Sequence, residues 1–120
     1  TIAACNRMAM LEAVAMGRKY GLTLETMSDV INKSSGRSGA TERGLPAMIE
    51  GVESSNFAMA LMLKDVTLAT QLGTNCGAPM MMHNIVRGML QNGLYHCGQD
   101  ANMDETAELI EAMADMKFRE

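Results

Sequence analysis

The chain has no tryptophan, two phenylalanines, two tyrosines, two histidines and two prolines in 120 residues. Positive charge is also short: ten Lys and Arg stand against 14 Asp and Glu, a net charge of −4. That balance argues against a sequence-independent nucleic-acid binder, which needs a basic face to neutralise phosphates. No apolar run is long enough to span a bilayer. No basic n-region or A-x-A-type site marks a signal peptide. The cysteines Cys5, Cys76 and Cys97 are odd in number, widely spaced and without a C-x-x-C pair. A reduced, cytoplasmic chain is the expectation. Apolar alternation never persists and β-branched residues are few, so no strand is expected.

Methionine is what abounds, at 14 residues. Met is unbranched and a good helix former, and here it falls at helical core spacings, which reads as core filling. A Met-rich, adaptable binding groove is the alternative reading. Nearly half of the residues are apolar, enough for one domain with a real core. The chain opens without Met, directly in an apolar helical pattern. That start is expected of a piece of a longer protein, and a processed start would look the same.

Periodicity divides residues 1–120 into about six helices with short connections, an all-α single globular bundle. The first runs from about Thr1 to Tyr20, with apolar residues over most of its circumference and Arg7 and Arg18 marking a polar strip. Gly21 suits its end. The second covers about Leu24–Asn32 behind the N-cap Thr23, with Leu24, Met27, Val30 and Ile31 inward. A short third helix lies near Ala40–Arg43 and resumes at Pro46. A long helix from Ala58 to Leu72 ends at Gly73. Pro79 opens the next, Met80–Gln91, with Met81, Ile85 and Met89 inward. The last, Met103–Met116, carries Asp104 and Glu105 at its start, as the helix dipole favours.

Few residues point to chemistry. Walker A, G-x-S-x-G, H-E-x-x-H and a G-x-G-x-x-G after a strand are all missing. His83 and His96 have no converging partners for zinc, and no metal is expected. The loop Ser34-Ser35-Gly36-Arg37-Ser38 has the backbone amides, hydroxyls and guanidinium to hold a carboxylate or phosphate, but it also fits an ordinary polar connection. Phe57 precedes the long helix, and Lys64-Asp65 interrupt its apolar run. Read by themselves, Lys64 and Asp65 are a solvated face.

These stretches together resemble one family. Asn6-Arg7-Met8-Ala9-Met10-Leu11-Glu12-Ala13 resembles the interdomain helix of the β-hydroxyacid dehydrogenases, the group of 3-hydroxyisobutyrate dehydrogenase, tartronate semialdehyde reductase and 6-phosphogluconate-dehydrogenase-like enzymes. Ser34 to Ser38 is similar to its Ser-Gly-Arg-Ser loop. Phe57 with Leu61-Met62-Leu63-Lys64-Asp65 is similar to its Phe…Leu-Met-x-Lys-Asp motif, and Gly73 and Pro79 fit its Leu-Gly…Pro turn. The likeness runs over essentially the whole chain, and the motifs are specific in combination rather than singly.

The resemblance implies the C-terminal helical domain of a two-domain oxidoreductase. A Rossmann domain absent from this chain would carry the glycine-rich dinucleotide loop. The implied chemistry is hydride transfer between NAD or NADP and a short hydroxy acid in the interdomain cleft. Lys64 matches the lysine that contacts the cofactor, Phe57 an aromatic residue near the nicotinamide, and Asp65 a residue lining the cleft. Ser35, Gly36 and Arg37 match the loop at the cleft edge. Asn6 fits either the cleft or a helix-packing hydrogen bond. The family's catalytic Lys-x-x-Asn-Asn motif belongs just upstream of Thr1, so no catalytic residue is assigned within the chain, which is expected to be inactive alone. The implied assembly is a homodimer or homotetramer. The rival is a non-catalytic, Met-rich protein-interaction module, with exposed methionines forming a patch.

Overall fold

The structure is a computed structural model and describes residues 1–119. Six α-helices follow one another: α1 Ile2–Tyr20, α2 Leu24–Ile31, α3 Gly39–Glu50, α4 Met59–Cys76, α5 Met81–Cys97 and α6 Thr106–Ala114. One 3-10 turn, Met103–Glu105, leads into α6. Among the described residues there is no strand, and a single antiparallel bridge pairs Ala58 with Asn102. The all-α expectation holds.

α1 is the hub, packed against α2, α3, α5 and α6, while α4 and α5 form a long helical hairpin. Ala4, Met8, Leu11, Val14 and Ala15 recur at helical spacing on one side of α1 and are buried. They meet Leu45 of α3 and Leu90 of α5 in one core that extends to Met59 and Val66 of α4. Each large side chain removed from water this way contributes about 1.5–3 kcal/mol. Methionine serves the core at nine positions: Met8, Met10, Met27, Met59 and Met103 are buried, Met48, Met62, Met89 and Met116 pack against them half-buried, and Met16, Met81, Met82 and Met113 are exposed.

Local signals set several ends. Gly21 stands at φ 106°, and the Leu22 amide returns to the Gly17 carbonyl at 2.9 Å, closing α1. Thr23 caps α2 by accepting from the Thr26 amide at 3.1 Å. Ser38 and Thr41 exchange hydrogen bonds in a capping box that starts α3.

Other expectations are corrected. α3 does not break: it continues through Pro46, whose neighbours Leu45 and Ala47 are buried and hold the turn in place. α4 does not end at Gly73 but runs on to Cys76, with Gly77 at φ 82° as its stop. Gly73 is there for contact. A Cβ on it would stand 2.5 Å from Met80 Cγ and 2.9 Å from the Ala78 carbonyl oxygen. α5 extends to Cys97 and buries Val86, Leu90, Gly93 and Leu94; Met81 and Ile85, expected inward, are 74% and 62% exposed. α5 starts at Met81 rather than Met80 because Met80 takes a left-handed conformation at φ 51°, and packing against α4, α1 and α6 sets which face turns inward. Val30 of α2 also faces out. α1 is not apolar-buried all round: Ile2, Met16 and Tyr20 are exposed, whereas Arg7, read as part of a polar strip, is buried.

The glycines give a direct check. Gly88 has nothing within 4 Å of a built Cβ, so Gly88→Ala is expected to stabilise the fold by roughly 0.5–1 kcal/mol through helix propensity. Gly73→Ala is expected to destabilise it by roughly 1–3 kcal/mol, because backbone and Met80 must shift. Urea unfolding followed by circular dichroism separates the two; equal midpoints would contradict the packing described.

Candidate functional site

The site is built around Arg7. Its Nε donates to the Met103 carbonyl at 3.0 Å and to Thr106 Oγ1 at 2.9 Å. Its Nη2 donates to the Asp104 carbonyl at 3.1 Å and lies 3.6 Å from Asp104 Oδ1. The side chain is 91% removed from solvent. Burial lowers its pKa from the ordinary value, and the Asp104 charge opposes that. A guanidinium keeps its proton here, and its fixed fork suits several carbonyls at once.

Asp104 passes the restraint on. Its carboxylate accepts from the Ser54 amide at 3.0 Å, the Ser55 amide at 3.3 Å and the Ser54 hydroxyl. Beside it, the Met103 amide donates to the Phe57 carbonyl at 2.8 Å and the Met59 amide to the Ala101 carbonyl at 2.9 Å. These two backbone bonds hold the segment that enters α4 against the segment that enters the 3-10 turn. Phe57 is therefore fixed at its backbone while its ring remains 36% exposed.

The ring borders a cavity of about 200 Å³ between the first turns of α1, the start of α3 and this loop. Its walls include Ala3, Ala4, Ala40, Met62 and Met103, and its charged lining is Arg7 and Arg43, with no carboxylate. Gly44 keeps α3 close to α1 here: a Cβ would meet Met10 Cε at 3.3 Å and Arg7 Nη1 at 3.4 Å.

Of the residues singled out from sequence, Phe57 lines this cavity, and Ser35, Gly36, Arg37, Lys64 and Asp65 do not. The loop is closed on itself. Ser34 Oγ donates to the Ile31 carbonyl at 2.9 Å, and the Gly36 and Arg37 amides turn back to Ser34. Arg37 pairs with Glu42 at 3.3 Å. Gly39 and Ala40, just past the loop, do line the cavity. Lys64 and Asp65 are exposed, turned away from Met59, Val66 and Thr70, the buried side of α4. Among the described residues the Lys64 side chain makes no ion pair or hydrogen bond. Asn6 is exposed on α1.

Sequence reasoning missed Arg7, Arg43, Ser54 and Ser55 as parts of a site. Arg7 carried one available signal, a cation at a position flanked by buried Ala4, Met8 and Leu11. No group of three or more His, Cys, Asp or Glu among the described residues is placed to hold a metal. The three cysteines are free. Burial, then the charges of Glu108 and Glu105, push the Cys97 thiol up to about 11.

Residues 1–110 match a family model described as NAD-binding of NADP-dependent 3-hydroxyisobutyrate dehydrogenase. The chain is 38% identical to 2-(hydroxymethyl)glutarate dehydrogenase of Eubacterium barkeri, over 74% of this chain and 30% of that protein. It is 33% identical to the mitochondrial 3-hydroxyisobutyrate dehydrogenase of Rattus norvegicus, over 74% of this chain and 32% of the relative. With the probable mitochondrial 3-hydroxyisobutyrate dehydrogenase of Arabidopsis thaliana it shares 34% identity, over 61% of this chain and 25% of the relative. The chain spans about a third or less of the length of these relatives.

Two measurements check this geometry. Arg7→Met leaves two carbonyls and a half-buried carboxylate short of a donor, and is expected to cost roughly 3 kcal/mol or more in urea unfolding; a loss close to that of an exposed substitution would remove Arg7 from its central role. Alkylation by iodoacetamide requires thiolate. At pH 8, Cys97 is expected to react slowly and exposed Cys76 first, read by peptide mass spectrometry; a faster Cys97 would contradict its raised pKa.

Proposed function

This chain belongs to the 3-hydroxyisobutyrate dehydrogenase family of NAD-binding proteins, and from that premise we propose that it is the C-terminal helical domain of a two-domain NAD(P)-dependent 3-hydroxy acid dehydrogenase. A Rossmann domain elsewhere in the protein supplies the glycine-rich dinucleotide loop, and the active site lies in the cleft between the two. The nicotinamide, when bound, accepts or donates the hydride. The observation that carries the proposal is Phe57. Its ring is half-exposed beside an apolar, cation-lined cavity, while its backbone is clamped by the Met103 amide at 2.8 Å.

The residues present suit that role. A flat apolar ring held rigidly at a cleft wall shields a hydride path from water and restricts the orientation of a second ring against it. Lys64, exposed and unpaired among the described residues, offsets the anionic groups of a dinucleotide. Asp65 and the Ser35-Gly36-Arg37 loop serve at the edge of the cleft. Proton transfer to and from the hydroxyl falls to the lysine motif of the interdomain helix, upstream of Thr1, so the present chain is inactive by itself.

The parent protein assembles as a homodimer or homotetramer in this reading. Leu61, Leu68 and Leu72 on α4 and Met81, Ile85 and Tyr95 on α5 support it, since they stand exposed at helical spacing opposite each helix's buried side. The same residues favour the second reading, a helical module that binds other proteins. No described helix is long and apolar enough to cross a membrane. The free cysteines support a reducing compartment, the cytoplasm in this reading.

The test is a spectrophotometric assay at the nicotinamide absorbance band, using the full-length protein and a panel of three- and four-carbon 3-hydroxy acids with NAD and NADP. Turnover is expected with the full-length protein and not with residues 1–120. Lys64→Ala is expected to raise the cofactor KM roughly three- to tenfold with kcat little changed. Absence of nicotinamide binding by the full-length protein would sink the dehydrogenase reading in favour of the interaction module.

A further inference from the structure

We propose that the cavity beside Phe57 is the subsite for the carboxylate of a small acid ligand, and that Arg43 is the residue that recognises it. The identity of the ligand as a short hydroxy acid rests on the dehydrogenase reading; the preference for a carboxylate rests on the cavity.

The first argument is charge. The chain is acidic overall, at −4, and the larger cavity beside His96 is lined by three carboxylates, Glu108, Glu111 and Asp115, against one cation, Lys117. The cavity beside Phe57 is lined by two guanidiniums and no carboxylate. Asp104 meets the Arg7 charge from behind the wall, which leaves Arg43 as the lining cation without a counter-ion; beside an apolar wall that is a good place for an anion, since low local polarity strengthens a charge-assisted bond.

The second argument is availability. Arg7 is committed to the Met103 and Asp104 carbonyls and Thr106, and Asp104 neutralises it from the far side. Arg43 is exposed, and its side chain makes no ion pair or hydrogen bond among the described residues. Glu42, its sequence neighbour and obvious competitor, is held by Arg37 at 3.3 Å. Gly39 makes room for the guanidinium: a Cβ there would come 3.3 Å from Arg43 Nη2. The Ser55 hydroxyl, also on the cavity wall, has no hydrogen-bond partner among the described residues. Guanidinium and hydroxyl together match the donors a carboxylate accepts.

The third argument is size. At about 200 Å³ the cavity is below the range that encloses drug-sized ligands. It suits a carboxylate with a few carbons attached.

The test uses the full-length protein and its Arg43→Met and Arg43→Lys variants, with 3-hydroxypropionate as probe. Arg43 is exposed, so both variants are expected to keep the wild-type circular dichroism spectrum and melting temperature. Arg43→Met is expected to raise the KM for 3-hydroxypropionate roughly tenfold to a hundredfold, with the cofactor KM unchanged. Arg43→Lys is expected to recover part of the loss, since it keeps charge but not the planar fork. An unchanged acid KM overturns the proposal. So does a rise in the NADP KM alone, which would assign Arg43 to a cofactor phosphate. Saturation-transfer NMR of 3-hydroxypropionate, without cofactor, separates this proposal from the dehydrogenase reading. If the protein turns over no hydroxy acid, a signal lost in Arg43→Met still supports the subsite. A signal of equal strength in both proteins, or none with the wild type, overturns it.

Discussion

The buried guanidinium of Arg7 is the constraint around which the rest of the structure is arranged. A cation withdrawn from water is tolerable only when its donors are matched and its charge is met. Here the matching groups come from the 3-10 turn and the first residue of α6, about a hundred positions away in sequence. α1 and the C-terminal segment are thereby held in one register. Asp104 then completes the circuit by binding the amides that precede Phe57. The position of one aromatic ring at the cavity mouth thus depends on a polar knot several residues removed from it, and the ring itself needs no close packing to be held.

The legible part of the fold was the part governed by local chemistry. Gly21 and Thr23 end one helix and begin the next because a left-handed glycine and a hydroxyl cap act within a few residues. The spacing of Met59 and Val66 marks the buried face of α4, whereas α1, apolar over most of its circumference, does not show in sequence which side faces in. What could not be read depends on tertiary contact. Gly73 and Gly77 carry the same letter, yet one is a contact point inside α4 and the other its stop. Pro46 ordinarily signals a start, and here buried neighbours carry the helix through it. The inner face of α5 was misplaced because Met81 and Ile85 are as apolar as Val86 and Leu90. The choice between the two faces falls to packing against α4, α6 and α1.

The candidate site was less legible than the fold. Phe57 was found through likeness to a family rather than through periodicity, and it lines the cavity. Arg43 had no pattern to announce it. Its significance lies in an absence, the missing counter-ion, which exists only once Arg37 has taken Glu42. Composition shows which charges a chain has. Which of them remain unspent after folding is decided by the pairing.

The bridge between Ala58 and Asn102 makes α4 and α5 a closed excursion: the chain leaves the body of the domain and returns to the same point. Everything between is joined to its own return path more than to sequence on either side. Such a unit is modular. Its far end is fixed locally, by the Ala78 amide on the Gly73 carbonyl at 2.8 Å and by the close approach of Met80 to Gly73. Its base is fixed by the bridge, and any insertion there would part the two backbones that hold Phe57.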